Sequence, residues 1–260
     1  MDIKELEIFS KTDKISRHPW ETVRIRAINR LLKPVLGHET MKGSVLDVGC
    51  GDAYVMEQLA DCWPLLDYIG VDTAFNDDYI ETIKAASPSL KDAAFYSNLS
   101  DVQQCDTVRV ALLLDVLEHI EKDQDLLTEV ASRLPQRGYV LITVPAFQKL
   151  YCRHDKWLGH FRRYSRRELR DRIQKAGLTP VASGYFFSAL LIPRVAHKIM
   201  ESTLLKNTDH APKGIGQWKY GKFFGRIVDS LLYWNVCMDI GLSKLGFTLP
   251  GLSVFSLCKK

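Results

Sequence analysis

Two groups of residues in this 260-residue chain have the types and spacing for chemistry. The first is Asp47-Val48-Gly49-Cys50-Gly51-Asp52, followed by Asp72 at the end of the next apolar run. Gly49 and Gly51 permit a sharp turn and remove the Cβ atoms that would hold a ligand away from the backbone. An acid about 20 residues on, at the next strand end, suits a pair of ribose hydroxyls. The second group is Asp115, Glu118 and His119, joined by His160 from a later segment. In a short helix, positions 115, 118 and 119 would share one face. Two carboxylates and two imidazoles are a plausible ligand set for a divalent ion. The alternatives are a His160 that acts as base or substrate contact, and a His119 that caps the helix or lines a pocket. Five arginines cluster nearby: Arg153, Arg162, Arg163, Arg166 and Arg167. Arg162 and Arg163 precede a helix start and fit bidentate binding of an anionic group. Arg166, Arg167 and Arg170 read as a solvated helix face. Tyr164 either donates to a substrate or packs.

The elements that must position these residues follow from periodicity. Val23, Ala27, Leu31 and Val35 mark an amphipathic helix over 20–36, closed by Pro34 and Gly37. Strands are expected at 44–48, 67–72, 93–97, 107–114, 138–144, 178–186 and 251–258, with helices at about 54–61, 77–86 and 123–134 between them. The run 107–114 is almost continuously apolar, as in a strand covered on both faces. Ser165-Arg166-Arg167-Glu168 matches a capping box and opens a helix that ends near Ala176-Gly177. Strands alternating with helices argue a parallel, doubly wound α/β sheet. About 60 residues separate the last two strands, too many for a structureless loop. The apolar runs 186–200 and 223–245 within them read as helices.

Composition sets bounds. The chain reads as one domain, 1–260, with an N-terminal helical cap at 17–43 and a helical insertion at 187–249. Hydrophobic residues at 46% and charged residues at 25% are ordinary for a globular protein. A net charge of +4 is too small to argue for nucleic acid. The six cysteines show no Cys-x-x-Cys pair, so neither a zinc knuckle nor a disulfide framework is indicated. The first residues are too charged for a signal peptide, and no apolar run reaches membrane-spanning length. The expectation is a cytoplasmic protein. The insertion interleaves aromatic residues with lysines, among them Trp218, Phe223, Phe224 and Trp234. Four readings stay open for it: a lid over an apolar acceptor, a homodimer contact, a helical extension packed on the sheet, and peripheral contact with the inner face of a membrane.

The Asp47-x-Gly49-x-Gly51 turn with Asp72 resembles motif I and the acidic ribose loop of class I S-adenosylmethionine (SAM) methyltransferases. Tyr54 replaces the third glycine of a dinucleotide-binding Gly-x-Gly-x-x-Gly, which disfavours that rival. Asp115-Val116-Leu117-Glu118-His119-Ile120 is similar to the segment after strand 4 of ubiquinone-biosynthesis O-methyltransferases. The run from His154 to Tyr164 is similar to a bacterial subgroup with a Gly-His-x-Arg-Arg-Tyr signature. The resemblance covers roughly residues 17 to 185 and the last strand; nothing in it accounts for 187–249. It implies a seven-stranded Rossmann-like methyltransferase sheet with an antiparallel last strand beside strand 5. It implies SAM as cofactor, with Asp47, Gly49 and Gly51 on the methionine half, Asp72 at the ribose, and Thr73 and Leu114 among the cofactor contacts. Asn98 and Leu99 fall to the adenine edge; Asn98 replaces the usual acid, and its amide oxygen can accept the same bond. Acid-x-x-Glu-His with a later His binds metal in small-RNA 2′-O-methyltransferases and in some ubiquinone-pathway enzymes. By that parallel Asp115, Glu118, His119 and His160 would hold Mg or Mn, although Asp115 is one methylene shorter than the family's Glu. The implied reaction is O-methylation of a small or lipophilic acceptor, such as a phenol, a polyene or polyketide chain, or a lipid-linked sugar. The alternatives are nucleic-acid 2′-O-methylation and a non-catalytic SAM-binding regulator.

Overall fold

The computed structural model describes residues 17–37, 42–103, 106–204 and 221–260. Its seven strands are β1 (Ser44–Val48), β2 (Asp67–Val71), β3 (Ala94–Tyr96), β4 (Val108–Leu114), β5 (Tyr139–Pro145), β6 (Thr179–Phe186) and β7 (Ser253–Lys259). They form one sheet in the order β3-β2-β1-β4-β5-β7-β6. β7 runs antiparallel to both β5 and β6, and the pairings from β3 through β5 are parallel. The doubly wound arrangement is the one the strand–helix alternation predicts, and the reversed last strand beside β5 is the one the family resemblance implies. The order turns around at β1 and β4, so the carboxyl ends of these two strands open a crevice between them.

Helices cover both faces. The helices are α1 (Pro19–Leu36), α2 (Tyr54–Cys62), α3 (Asp77–Ala86), α4 (Asp123–Arg133), α5 (Arg153–Leu158), α6 (Arg166–Lys175), α7 (Leu191–Leu204) and α8 (Lys222–Lys244). β4 shows how the two cores arise. Val110 and Leu112 point to the face holding α1, α2 and α8, whereas Ala111 and Leu113 point to the face holding α4 and α6. The side-chain period of two sends alternate residues to opposite faces, so a strand with both faces covered must be apolar throughout. Each Leu buried this way contributes roughly 1.5–3 kcal/mol.

Local signals hold at most ends. The Ser165 hydroxyl accepts from the Glu168 N–H at 3.2 Å, and the Ser165 N–H donates to Glu168 Oε2 at 2.7 Å. That is the capping box opening α6, worth about 1 kcal/mol. α1 continues to Leu36, past Pro34, and Gly37 follows it. The segment 187–249 does contain two helices, α7 and α8. α8 packs on α1 and β6. Thr22 donates to Asp229 at 2.7 Å, and Arg26 pairs with Asp229 while stacking 3.5 Å above the Tyr233 ring. No helix among the described residues is long and apolar enough to cross a membrane. The calls on Trp218 and on the lysines between 206 and 219 lie outside the described residues.

Candidate active site

The turn after β1 is shaped by backbone conformation. Gly49 (φ +74°), Gly51 (φ +57°) and Ala53 (φ +57°) all lie in the left-handed region. A Cβ on Gly49 would stand 2.6 Å from Val116 Cγ2, so this position accepts only glycine as the turn is built. Asp72 closes the turn from β2. Its Oδ2 accepts the Gly51 N–H at 2.9 Å and its Oδ1 accepts the Ala74 N–H at 3.0 Å. Asp47 is almost wholly buried, and burial, reinforced by the Asp72 charge and opposed by Arg24, pushes its carboxyl up to about 7. Arg17 hydrogen-bonds Asp52 and lies 4.0 Å above the Tyr54 ring, pinning the start of α1 to this turn. Thr73 is exposed beyond β2, and Leu114 is half-buried at the end of β4. Asn98 is exposed past β3, its amide donating to Ser97 Oγ at 3.2 Å, and Leu99 beside it is buried. The residues assigned to SAM therefore follow the carboxyl ends of β1, β2, β3 and β4 in turn.

The second group is assembled differently from the sequence expectation. After β4 the chain makes a 3-10 turn at Leu117–His119 rather than a helix from 115, and Asp115 takes φ +58°. Asp115 therefore leaves the shared face. Its Oδ2 meets Arg24 Nη1 at 2.6 Å and its Oδ1 accepts from the Thr143 hydroxyl at 3.1 Å. Arg24 Nη2 also donates to Thr143 Oγ1 at 2.8 Å. Asp115 is accordingly an anchor for α1 and not the fourth member of the group. Glu118, His119 and His160 do converge: each offers a ligand atom, and these atoms lie within 4.8 Å of one another. The two imidazoles meet edge to face, with ring centres 4.4 Å apart. Glu118 is fully buried, and neither of its carboxylate oxygens has a hydrogen-bond partner. Burial, with Asp115 close by, pushes its carboxyl well above the ordinary range.

His160 is held from behind. Its Nδ1 lies 3.0 Å from Asp155 Oδ1. Asp155 also accepts from Arg163 Nε at 2.8 Å and from the Cys152 N–H at 2.9 Å. Burial opposes its charge, but the hydrogen bonds from His160 and Arg163 and the Arg163 cation outweigh that and hold the carboxyl far below its usual range. The imidazole thus presents Nδ1–H to a fixed anion and leaves Nε2 for other work. Asp155, Arg24 and Thr143 are the residues that sequence reasoning passed over. Thr143 did carry a signal, being the polar residue in the apolar run 140–144.

The arginine expectation is corrected, and Tyr164 takes the packing role of its two readings. Tyr164 is 1% exposed, and its hydroxyl sits 2.7 Å from Asp123 Oδ2 and 3.0 Å from the Leu117 carbonyl oxygen. Buried and bonded on both sides, it packs the loops together and is out of a substrate's reach. Arg162 pairs with Asp123 at 2.9 Å and donates to the Glu121 carbonyl at 2.8 Å. Arg163 holds Asp155 and the Ala146 carbonyl. These cations neutralise buried carboxylates of the protein itself, so neither is arranged as an anion receptor.

Comparison with known proteins decides the family. A family model described as a methyltransferase domain matches residues 20–183, well over half of the chain. The chain belongs to this methyltransferase family. A curated relative, the mitochondrial ubiquinone biosynthesis O-methyltransferase of Candida albicans, is 28% identical over 105 residues. That match covers 38% of this chain and 32% of the relative, so the chain spans about a third of that protein's length. The methyltransferase fold recurs among solved structures. A SAM-dependent methyltransferase from Archaeoglobus fulgidus shares 15% identity at a TM-score of 0.51, covering 92% of this chain and 97% of its own. The N-methyltransferase NodS from Bradyrhizobium japonicum, with S-adenosyl-L-homocysteine bound, gives 17% and 0.50, covering 70% and 89%. The cyclase SpnF gives 15% and 0.55, covering 96% and 84%. At such identities these likenesses show the fold alone, and their differing chemistries leave the acceptor to be argued from this protein's own site. The SAM-dependent methyltransferase class fits this family and this sheet, with the reversed β7 in place.

Proposed function

We propose that this methyltransferase transfers the methyl group of SAM to a hydroxyl oxygen of a small or lipophilic acceptor. In this reading Asp47, Gly49 and Gly51 take the methionine half, Asp72 and Thr73 the ribose, and Asn98, Leu99 and Leu114 the adenine side. The observation that carries the oxygen acceptor is the cluster of Glu118, His119 and His160 braced by Asp155. The acceptor oxygen attacks the methyl carbon in line, the carbon–sulfur bond breaks, and S-adenosylhomocysteine leaves with the bonding pair. His160 Nε2 receives the hydroxyl proton, and Asp155 stabilises the imidazolium that forms. Amine acceptors need less base assistance, so this braced imidazole favours oxygen. The named O-methyltransferase relative points the same way over its short match.

The same cluster fits a divalent ion. One carboxylate with both oxygens buried and unbonded stands beside two imidazoles, and a buried carboxylate without partners is costly unless something pairs with it. Glu118, His119 and His160 would hold Mg or Mn, which would supply a Lewis acid for the acceptor hydroxyl. A modest net charge supports a small or lipid-like acceptor over a nucleic acid.

The test uses methyl-labelled SAM with phenols, long-chain alcohols, lipid-linked sugars, amines and RNA. Label on oxygen in one of the first three classes is expected; label on RNA alone, or on amines alone, overturns the acceptor. Excess chelator with SAM binding intact separates the two roles of the cluster. Activity lost and restored by Mn²⁺ supports the ion, and full activity leaves His160 as a direct base.

A further inference from the structure

α7 is docked the wrong way round for a helix in water. The side chains it turns to the protein are polar: Arg194 Nη2 reaches Cys152 Sγ at 2.8 Å, and Lys198 Nζ donates to the Tyr151 carbonyl at 2.6 Å. The apolar ones point out, with Ile192 80% and Ile199 58% exposed and Val195 between them. Spacing of three and four residues places Ile192, Val195 and Ile199 on one stripe. α8 adds a second. Its inner stripe, Leu232, Val236 and Ile240, is buried, while Phe224, Ile227, Leu231 and Trp234 form an outer stripe, with Trp234 68% exposed. Exposed apolar residues on two neighbouring segments of one insertion exceed the scatter of an ordinary surface.

Charge indicates what meets this surface. Residues 187–249 hold eight basic and four acidic residues, a net +4. That equals the net charge of the whole chain, so the rest is neutral in sum. Two of the four acids are engaged by the protein, Asp229 with Arg26 and Asp239 buried against Ser188, as are the two bases Arg194 and Lys198. Arg226 and Lys244 are exposed. We propose that α7 and α8 form an interfacial platform that docks on an anionic lipid bilayer, lying in its surface and not spanning it. Apolar side chains enter the acyl boundary while the basic residues meet anionic headgroups. A second copy of this chain would set one basic insertion against another, which disfavours self-association through it. The platform also borders the site, since Lys198 holds the Tyr151 carbonyl and the Tyr151 hydroxyl donates to the His160 carbonyl at 2.7 Å. Docking would thus set the acceptor side close to the bilayer, whichever hydroxyl compound is methylated.

Vesicle flotation of the full chain tests this, comparing phosphatidylcholine vesicles with vesicles holding about 30 mol% phosphatidylglycerol. The protein should float with anionic vesicles, much less with neutral ones, and less as salt rises from about 0.1 M to about 0.5 M. Ile192→Glu with Trp234→Glu should lower partitioning about tenfold or more, with SAM affinity unchanged and the chain monomeric by analytical ultracentrifugation. Failure of the wild type to float overturns the proposal. If it instead dimerises and Trp234→Glu breaks the dimer, the face belongs to a second copy. Flotation undiminished in the double variant places the lipid contact elsewhere and equally overturns it.

Discussion

The two halves of the crevice are built by different means. The half proposed for the cofactor centres on the strand ends of β1 and β2, where its turn is local, and Asn98, Leu99 and Leu114 join it from β3 and β4. The Gly49–Gly51 turn, Asp47 before it and Asp72 after the next strand are set by short-range geometry, with Asp72 bonded directly to the Gly51 N–H. The half proposed for the acceptor joins Glu118 and His119 after β4 to His160 some 40 residues later, and Asp155, Arg163 and Asp123 lock the loops that carry them. Turn geometry repeats wherever one backbone must approach a ligand, whereas a cluster from distant loops depends on every contact that orients it.

If the halves are separable, His160→Ala should give the largest effect. Turnover should fall about a thousandfold while SAM affinity measured by titration calorimetry stays within about threefold, because removing a positioned base affects the chemical step. Equal loss of SAM affinity would break the comparison. Asp72→Ala should do the reverse, weakening SAM by about a hundredfold through loss of charged hydrogen bonds to ribose and of the brace on Gly51. Next comes Asp155→Asn, expected to lower kcat about tenfold to a hundredfold and to change the pH profile of kcat, with KM for SAM unchanged. Loss of protein stability without a change in that profile would reduce Asp155 to a packing role.

A smaller effect tests Asp47. Burial pushes its carboxyl up to about 7, and the proposed pairing with SAM's ammonium needs the charged form. Binding must then release a proton, so SAM affinity should rise as pH increases toward 7 and flatten above it. Asp47→Asn should bind more weakly at pH 8 and lose this slope. A wild-type affinity independent of pH between about 5.5 and 8 would remove Asp47 from the ammonium site. The smallest expected change is from Arg24→Ala, about threefold in turnover, since Arg24 acts through Asp115, Thr143 and the seat of α1.

The strands, the capping box of α6 and the two helices of the insertion were legible because each rests on a local pattern: period two, period three to four, or a turn residue. The reversed β7 beside β5 was expected from family resemblance instead. The convergence of His160 with Glu118 and His119 was expected from family resemblance, and these three side chains do stand together. Asp115 failed because the expectation assumed helical geometry where the chain adopts a left-handed residue and a 3-10 turn. Arg162 failed as an anion receptor, and the choice between Tyr164's two readings stayed open, because a charge or hydroxyl in sequence does not reveal the carboxylate it will meet; here that is Asp123, about 40 residues away.

What the residues encode locally is therefore the strands, the helices and the glycine turn, each set by neighbours along the chain, whereas the placing of β7 beside β5 was expected from family resemblance. Only the tertiary structure decided which polar side chains face the crevice and which serve the fold. It also decided that α7 turns its arginine and lysine inward and its isoleucines outward. Periodicity gives a helix two faces, but which of them meets the protein depends on what the rest of the chain presents at that place: here a carbonyl and a thiol at Tyr151 and Cys152.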